Sequence, residues 1–323
     1  MHAVQVTAHG GPEVLVPADL ADPEPGDGEA LVEVAAVGVN YIDTYLRTGV
    51  YAGEPPFVPG LEGAGVVRAV GPGVTTVAVG DRVAWSNTLG SYATLTRVPA
   101  AELVAVPDGT DLDLAAAVLL QGMTAHYLVH DTHRVAVGDA VLVHAGAGGM
   151  GLLLCQMARA AGARVIATTS SEEKDALARG AGAHETLRYG DDLADRVRAL
   201  TDGEGVAVVY DGVGAATFDA SLASLRIRGV LALYGAASGP VPPVDPQRLN
   251  SGGSLYLTRP SLHWHVRTPE ALAARASDVF AAVAAGGAWA AATRSTTPPT
   301  PTATSSPAAR RGSSCCCPDA ALQ

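Results

Sequence analysis

The chain has 323 residues, 48% hydrophobic and 16% charged; that is enough for two domains with separate cores, and too apolar for a disordered chain. Its 21 basic and 32 acidic residues give a formal charge of -11, which excludes a broad phosphate-backbone surface and so general nucleic-acid binding, while leaving room for a local anion pocket. No apolar run approaches the roughly 18 residues that a bilayer span needs. The start MHAVQVTAHGG lacks a basic region followed by an apolar stretch, as a secretory signal would have. Cys155 stands alone before the consecutive Cys315, Cys316 and Cys317, so no disulfide pair forms ahead of the tail, and a cytoplasmic protein without a membrane segment is expected.

From the N-terminus to about residue 120 the chain is a series of short β-branched runs, ALVEVAAVGV, GAGVVRAV, DRVAW and ELVAVP, separated by the breakers PEPGDG, GEPPFVPG and GPGV. This texture predicts a small antiparallel barrel. At Asp111 it changes to LDLAAAVLLQGMTAHYLVH, apolar at helical spacing. Strand and helix patterns then alternate: AVLVHA, GGMGLLLCQMARAAG, ARVIATT, EEKDALARG, a variable stretch, VAVVYDGVG, a helix containing SLASL, and GVLALYG. Such alternation implies crossovers and a parallel sheet with helices on both faces, a doubly wound α/β unit. From Trp289 the pattern stops. The remainder holds six Thr, five Pro and five Ser, with no acidic residue between Asp278 and Asp319. One reading is a disordered Pro/Thr/Ser tail. The other is a coding frame shifted near residue 288: TGC cysteine codons read one base earlier after a C become CTG, turning Cys315, Cys316, Cys317 and Pro318 into Leu-Leu-Leu-Pro.

The string GAGGMG matches G-x-G-x-x-G, with Gly146, Gly148 and Gly151 at the glycine positions and Gly149 and Met150 between the second and third. It follows the apolar strand AVLVHA and opens an apolar helix, which is the context the motif requires. The first glycine permits a tight turn, the second lets backbone approach a pyrophosphate, and the third lets helix and strand pack closely. The helix N-terminus adds free N–H groups and a positive dipole end. A site for NAD carries an acid roughly twenty residues later for the ribose 2′-hydroxyl, but that place holds Thr169, Ser170 and Ser171. Hydroxyls with Lys174, the only lysine in the chain, suit a 2′-phosphate and so NADPH. The alternative is a surface lysine paired with Glu172 or Glu173.

The order of a β-rich domain followed by a Rossmann unit resembles the medium-chain dehydrogenase/reductase superfamily. The strings HGGPEVL, GVNYIDTYLRTGVY, PGLEGAGVV, GDRV, AGAGGMG and SLYLTRPSL narrow the resemblance, over residues 1 to about 285, to the zinc-independent quinone oxidoreductases, the group that includes zeta-crystallin. The resemblance implies a GroES-like β-barrel catalytic domain at 1–121, a Rossmann NADPH-binding domain at 122–258 and a return to the catalytic domain at 259–288, before the aberrant tail at 289–323. Zinc-dependent relatives carry a cysteine near the position of Asn40 and a histidine where this chain has Leu61, between Gly60 and Glu62. With no cysteine before Cys155, a catalytic zinc of that type is excluded. His126, His130 and His133 have helical spacing, and His263 and His265 flank Trp264; without an accompanying cysteine or glutamate motif, these read as surface or packing residues.

The resemblance implies hydride transfer from NADPH to a quinone, without zinc or flavin, in which the protein positions the partners and excludes water. It places Asn40, Tyr45 and Tyr51 on the substrate side, with Asn40 as a donor to the developing oxyanion. Tyr41, Thr124 and the glycine loop fall on the cofactor side, Ser170, Lys174 and Tyr189 at the adenosine 2′-phosphate, and Gly235 to Ser238 beside the nicotinamide. Alternatives on the same scaffold are an NADPH-dependent reductase of 2-alkenals or enoyl substrates, or a nucleotide-binding protein inactivated by its altered C-terminus. A homodimer is expected.

Overall fold

A computed structural model describes residues 1–285; the tail from Trp289, with both readings of it, lies outside them. The described chain divides into two units, Met1–Leu120 with Thr268–Ala284, and Gln121–Arg267.

The first unit opens with an antiparallel pair, β1 (His2–Val6) and β2 (Leu15–Asp19), which the sequence reading passed over because β2 is short and contains Pro17. A five-stranded antiparallel sheet follows, built from β3 (Glu29–Gly38), β4 (Glu62–Val70), β5 (Arg82–Trp85), β6 (Leu95–Pro99) and β7 (Val104–Ala105), in the order β6-β3-β4-β5-β7. The register of β3 on β4 shifts twice, between Leu31 and Val32 and between Val34 and Ala36. Such bulges bend a strand, as the closing of a small barrel requires. Val32, Val67, Val83, Val98 and Trp85 fill its core, and the buried Trp85 indole N–H donates to Ser91 Oγ at 2.8 Å. Between β3 and β4 lies a helix that the strand pattern did not predict, α1 (Tyr41–Thr48). Asn40 precedes it, Asp43 reaches back to accept from the Asn40 backbone N–H at 2.9 Å, and Gly49 ends it in the left-handed region at φ 78°.

The helix predicted from Asp111 is α2 (Leu112–Tyr127), continued by a π-helical turn at Leu128–Thr132. Over Leu112–Thr132 it has the length and hydropathy to cross a membrane, contrary to the expectation that no segment would. Single polar residues such as Gln121 and Thr124 interrupt the run but leave its average apolar enough for a span. Its most apolar window is 67% buried within the protein, as for a core helix.

The second unit is the doubly wound sheet. Its strands are β8 (Ala140–Val143), β9 (Arg164–Thr168), β10 (Glu185–Leu187), β11 (Val206–Asp211), β12 (Leu225–Leu233) and β13 (Tyr256–Thr258), all parallel, in the order β10-β9-β8-β11-β12-β13. The crossovers carry α3 (Gly149–Ala160), α4 (Glu172–Gly180), α5 (Leu193–Ala199), α6 (Phe218–Ser224) and α7 (Gln247–Ser251). Every residue of β11 is buried, the unbroken apolar run of a strand covered on both faces. Leu142, Ile166, Val209 and Leu231 from four neighbouring strands share one core. Strand order reverses between β8 and β11, the switch point at which such sheets bind ligands beyond their carboxyl ends.

Residues 259–267, expected to return to the catalytic domain, stay with the second unit. There α8 (Leu262–His265) brings His265 flat against Tyr127, with ring centroids 4.1 Å apart and 6° between planes. The return begins with α9 (Pro269–Ala284), which contacts β7 in the first unit.

Candidate active site

Beyond β8 the chain turns sharply into α3, and each glycine of the turn meets a distinct steric demand. A Cβ on Gly146 would sit 2.6 Å from Ala167 Cβ on β9, and one on Gly151 would sit 2.2 Å from the Ala145 carbonyl and 2.7 Å from Gly146 Cα. At Gly148, the N-cap of α3, nothing lies closer than 3.3 Å; here backbone stands open to an anion at the helix N-terminus. A Cβ on Gly149 would meet the Gln121 Oε1 at 2.3 Å. Met150 is half-buried in the first helical turn, and Thr124 is half-buried on α2. Ala145, just before the turn, is held at φ 49°, a conformation that costs an L-residue free energy and recurs at functional sites.

Ser170, Lys174 and Tyr189 gather around the same turn. Ser171 caps α4 by accepting from the Lys174 backbone N–H, and Lys174 Nζ donates to Ser170 Oγ at 3.0 Å. No ion pair between Lys174 and Glu172 or Glu173 forms among the described residues. The neighbouring cation, Arg188, is engaged by Asp175 through two hydrogen bonds of 2.5 and 2.6 Å, and that contact holds the Asp175 carboxyl well below the usual carboxylate range. Tyr189 accepts from the Ala145 N–H at 3.0 Å through its phenol oxygen, and its ring stacks on His144 at 5.9 Å between centroids.

Sequence reasoning missed the polar network under this turn. At the switch point His144, just past β8, bonds Thr168 Oγ1 at 3.1 Å and Ser221 Oγ at 2.9 Å. Ser221 donates its proton to Asp211 Oδ2 at 2.7 Å, so His144 Nε2 carries the ring proton and Nδ1 accepts from Thr168. Burial holds the His144 pKa down, against the pull of Asp211. Asp211 Oδ1 also accepts from the Val213 and Gly214 N–H groups. The resulting 212–214 turn packs under the loop after β12, where a Cβ on Gly235 would lie 2.4 Å from the Gly212 carbonyl. Ser238 Oγ accepts from the Ala216 N–H and donates to the Val213 carbonyl.

In the first unit, α1 lines up the predicted aromatics. Tyr41 and Tyr45 meet edge-to-face at 5.4 Å, and Tyr45 and Tyr51 meet tilted at 5.1 Å. The Tyr51 backbone N–H donates to the Tyr45 carbonyl at 3.1 Å. Asn40 is buried, and its Nδ2 donates to Glu62 Oε2 at 2.6 Å. Glu62, fully buried at the start of β4, also accepts from the Leu120 N–H at 2.6 Å through Oε1. Burial is the main reason that its pKa is pushed up to about 8. Asp43 Oδ2 accepts from the Asn40 N–H and, at 2.9 Å, from the Tyr92 hydroxyl, while Oδ1 is buried without a hydrogen-bond partner among the described residues. Burial raises Asp43 to about 6. The Asn-x-x-Asp spacing was a readable helix-start signal; Glu62 had been noticed only as the neighbour of a missing histidine.

The remaining histidines pair locally. His126 and His130 tilt together at 4.5 Å, His133 faces Asp139, and His265 faces Asp131. Among the described residues no group of three or more His, Cys, Asp and Glu converges as a metal site would need, and the Asn40 and Leu61 side chains are not soft zinc ligands.

Residues 26–108 match the family described as the alcohol dehydrogenase GroES-like domain, and residues 149–262 that of zinc-binding dehydrogenases. The chain is 47% identical over 285 residues to a quinone oxidoreductase of Pseudomonas aeruginosa, covering 87% of each protein. It is 46% identical over 272 residues to a 2-haloacrylate reductase of a Burkholderia species, covering 81% of each. A mycobacterial protein solved in complex with NADPH superposes with a TM-score of 0.87 at 54% identity, over 89% of this chain and 90% of that one.

Proposed function

The chain belongs to the quinone oxidoreductases of the medium-chain dehydrogenase/reductase superfamily, and from that membership we infer that it reduces a quinone with NADPH. The observation that carries the reading is the glycine turn, open only at Gly148, with Lys174 and Ser170 beside it at the end of β9. NADPH supplies the hydride when bound. We assign its pyrophosphate to Gly146, Gly148, Gly149, Met150 and Gly151, and its 2′-phosphate to Lys174, Ser170 and Tyr189. Gly235 and Ser238 would then lie beside the nicotinamide, with Thr124 and Tyr41 also on the cofactor side. Asn40, Tyr45 and Tyr51 are assigned to the quinone: the aromatic pair packs against its ring, and the Asn40 amide donates to the oxygen that gains charge. A quinone is already electrophilic, so it needs no metal Lewis acid, and the donor set of the first unit would not hold one.

The reaction is placed in the cytoplasm, consistent with the free thiol of Cys155. A homodimer is proposed on the open edge of the second sheet. There, among the described residues, β13 pairs only with β12, and Tyr256 and Trp264 are exposed beside it, the kind of edge that a second copy would cover.

The test is NADPH oxidation by the purified chain, as it stands and with the tail restored to the Leu-Leu-Leu-Pro frame, offered 1,4-benzoquinone and 2-chloroacrylate in parallel. Quinone turnover is expected. NADPH binding with turnover of 2-chloroacrylate alone would replace the reading by a conjugated-carbonyl reductase, the alternative favoured by the 2-haloacrylate reductase relative. Turnover only in the restored form would make this chain a damaged copy.

A further inference from the structure

The polar network under the glycine turn runs on past His144 to the backbone that shapes the turn. Asp211, at the end of β11, accepts from Ser221 at 2.7 Å, Ser221 Oγ from His144 Nε2 at 2.9 Å, and His144 Nδ1 from Thr168 Oγ1 at 3.1 Å. Each side chain has one proton to give and gives it toward Asp211, so the Thr168 oxygen has only lone pairs left for the other side. There it accepts from the Ala145 N–H at 3.1 Å, while the Thr168 carbonyl accepts from the Gly146 N–H at 2.8 Å. The Tyr189 hydroxyl meets the same Thr168 oxygen and shares the Ala145 N–H, at 3.0 Å. Asp211, Ser221, His144 and Thr168 are all fully buried, where a lost partner is costly. Ala145, held at φ 49°, sends its own carbonyl to the Gly148 N–H at 2.9 Å, which closes the turn at the N-cap of α3.

We propose that His144 and Thr168 are positioning residues for the dinucleotide: the hydrogen bonds that run from Asp211 pin the Ala145 N–H, keep that residue left-handed and so present the N-terminus of α3 to the pyrophosphate, an inference that rests on the assignment of the pyrophosphate to the glycine turn. An imidazole suits the task because it donates on one side and accepts on the other, joining α6 to β9 across the end of β8. A left-handed alanine costs free energy, and two successive N–H groups bound to one threonine offset it.

Thr168→Val keeps the branched shape and removes the hydroxyl, whereas Thr168→Ser keeps the hydroxyl. Cofactor fluorescence gives the dissociation constants for NADPH and NADH, which a fraction of unfolded protein does not change. Thr168→Val is expected to weaken both cofactors alike, about fivefold, the cost of one hydrogen bond, and Thr168→Ser to bind both as the native protein does. Native affinity in Thr168→Val, or equal losses in Thr168→Val and Thr168→Ser, overturns the positioning role. So does a loss confined to NADPH, which would move Thr168 to the 2′-phosphate. Gly148→Asp tests the assignment beneath it: a carboxylate set against the pyrophosphate should abolish binding of both cofactors, and native affinity there overturns the assignment and the inference together. Should Thr168→Val fail to fold, the native protein decides. The 15N spectrum of the buried His144 ring should show a proton on Nε2 and a bare Nδ1. A proton on Nδ1 reverses the chain at His144 and overturns the inference.

Discussion

Replacing Lys174 with alanine should separate the two nicotinamide cofactors. The lysine is exposed on the first turn of α4 and reaches Ser170 Oγ at 3.0 Å, and it is not committed to Glu172 or Glu173. Two unit charges about 4 Å apart attract by about 1 kcal/mol in bulk water and about 4 kcal/mol near a protein surface. A 2′-phosphate carries between one and two charges, and Lys174 lies at the wet end of that range, so roughly 2 kcal/mol of binding should vanish, about thirtyfold in affinity. Ser170 and Tyr189 remain, so binding weakens without disappearing. NADH, lacking the phosphate, should bind Lys174→Ala as it binds the native enzyme. Cofactor fluorescence titration gives both dissociation constants, and added salt should shrink the difference for the native enzyme, because an exposed charge contact is screened. An equal loss for NADH and NADPH, or unchanged NADPH affinity, would refute the placement of the 2′-phosphate and return Lys174 to the role of a surface charge.

Tyr51→Ala removes a half-exposed ring packed on Tyr45 while leaving the backbone N–H that holds the segment. It should raise KM for quinone about fivefold, roughly the 1 kcal/mol of one aromatic contact, with KM for NADPH unchanged; equal changes in both would take Tyr51 off the substrate side. The second expectation concerns stability. Folding raises the Glu62 pKa from an ordinary 4.5 to about 8, so the folded state binds the proton more tightly, and the stability this confers is full below 4.5 and is lost as pH climbs through 8. The loss is at most about 5 kcal/mol. Thermal unfolding of the native protein from pH 6 to 9 should therefore show a falling Tm that is flatter in Glu62→Gln, and parallel curves would show that Glu62 does not stay protonated in the fold.

The nucleotide half of the site was legible because its chemistry is local. A phosphate cradle needs strand, glycines and helix within a dozen residues, and Gly146, Gly148 and Gly151 meet the three demands within six consecutive positions. The central strands were legible for a related reason: β8 and β11 are covered on both faces, so their residues are apolar without alternation. What alternation could not show was α1. The strand pattern ends before Tyr41, Tyr45 and Tyr51, and only the Asn40–Asp43 spacing marked the start of a helix. The expectation that residues 259–267 rejoin the first unit failed because His265 finds its partners, Tyr127 and Asp131, in the second.

The polar groups that orient the site escaped for a different reason: each depends on a partner supplied by the fold rather than by spacing. Glu62 lies 22 residues from Asn40 and 58 from Leu120, and His144 lies 77 from Ser221. A buried carboxyl or imidazole is costly unless its hydrogen bonds are met, and that cost explains why these residues occur in pairs. The Glu62 carboxyl would be a poor choice beneath a water-filled surface loop. It lies instead between Gly38, which makes room for it, and the Leu120 backbone N–H, with the Asn40 amide on its other oxygen. The same logic holds in the second unit: Asp211 fixes Ser221, Ser221 fixes the His144 tautomer, and His144 supports the Tyr189 ring, whose oxygen meets Ala145 at the mouth of the glycine turn. In both units the residue expected to touch a ligand is readable from local sequence, and the residue that orients it is readable only from the fold.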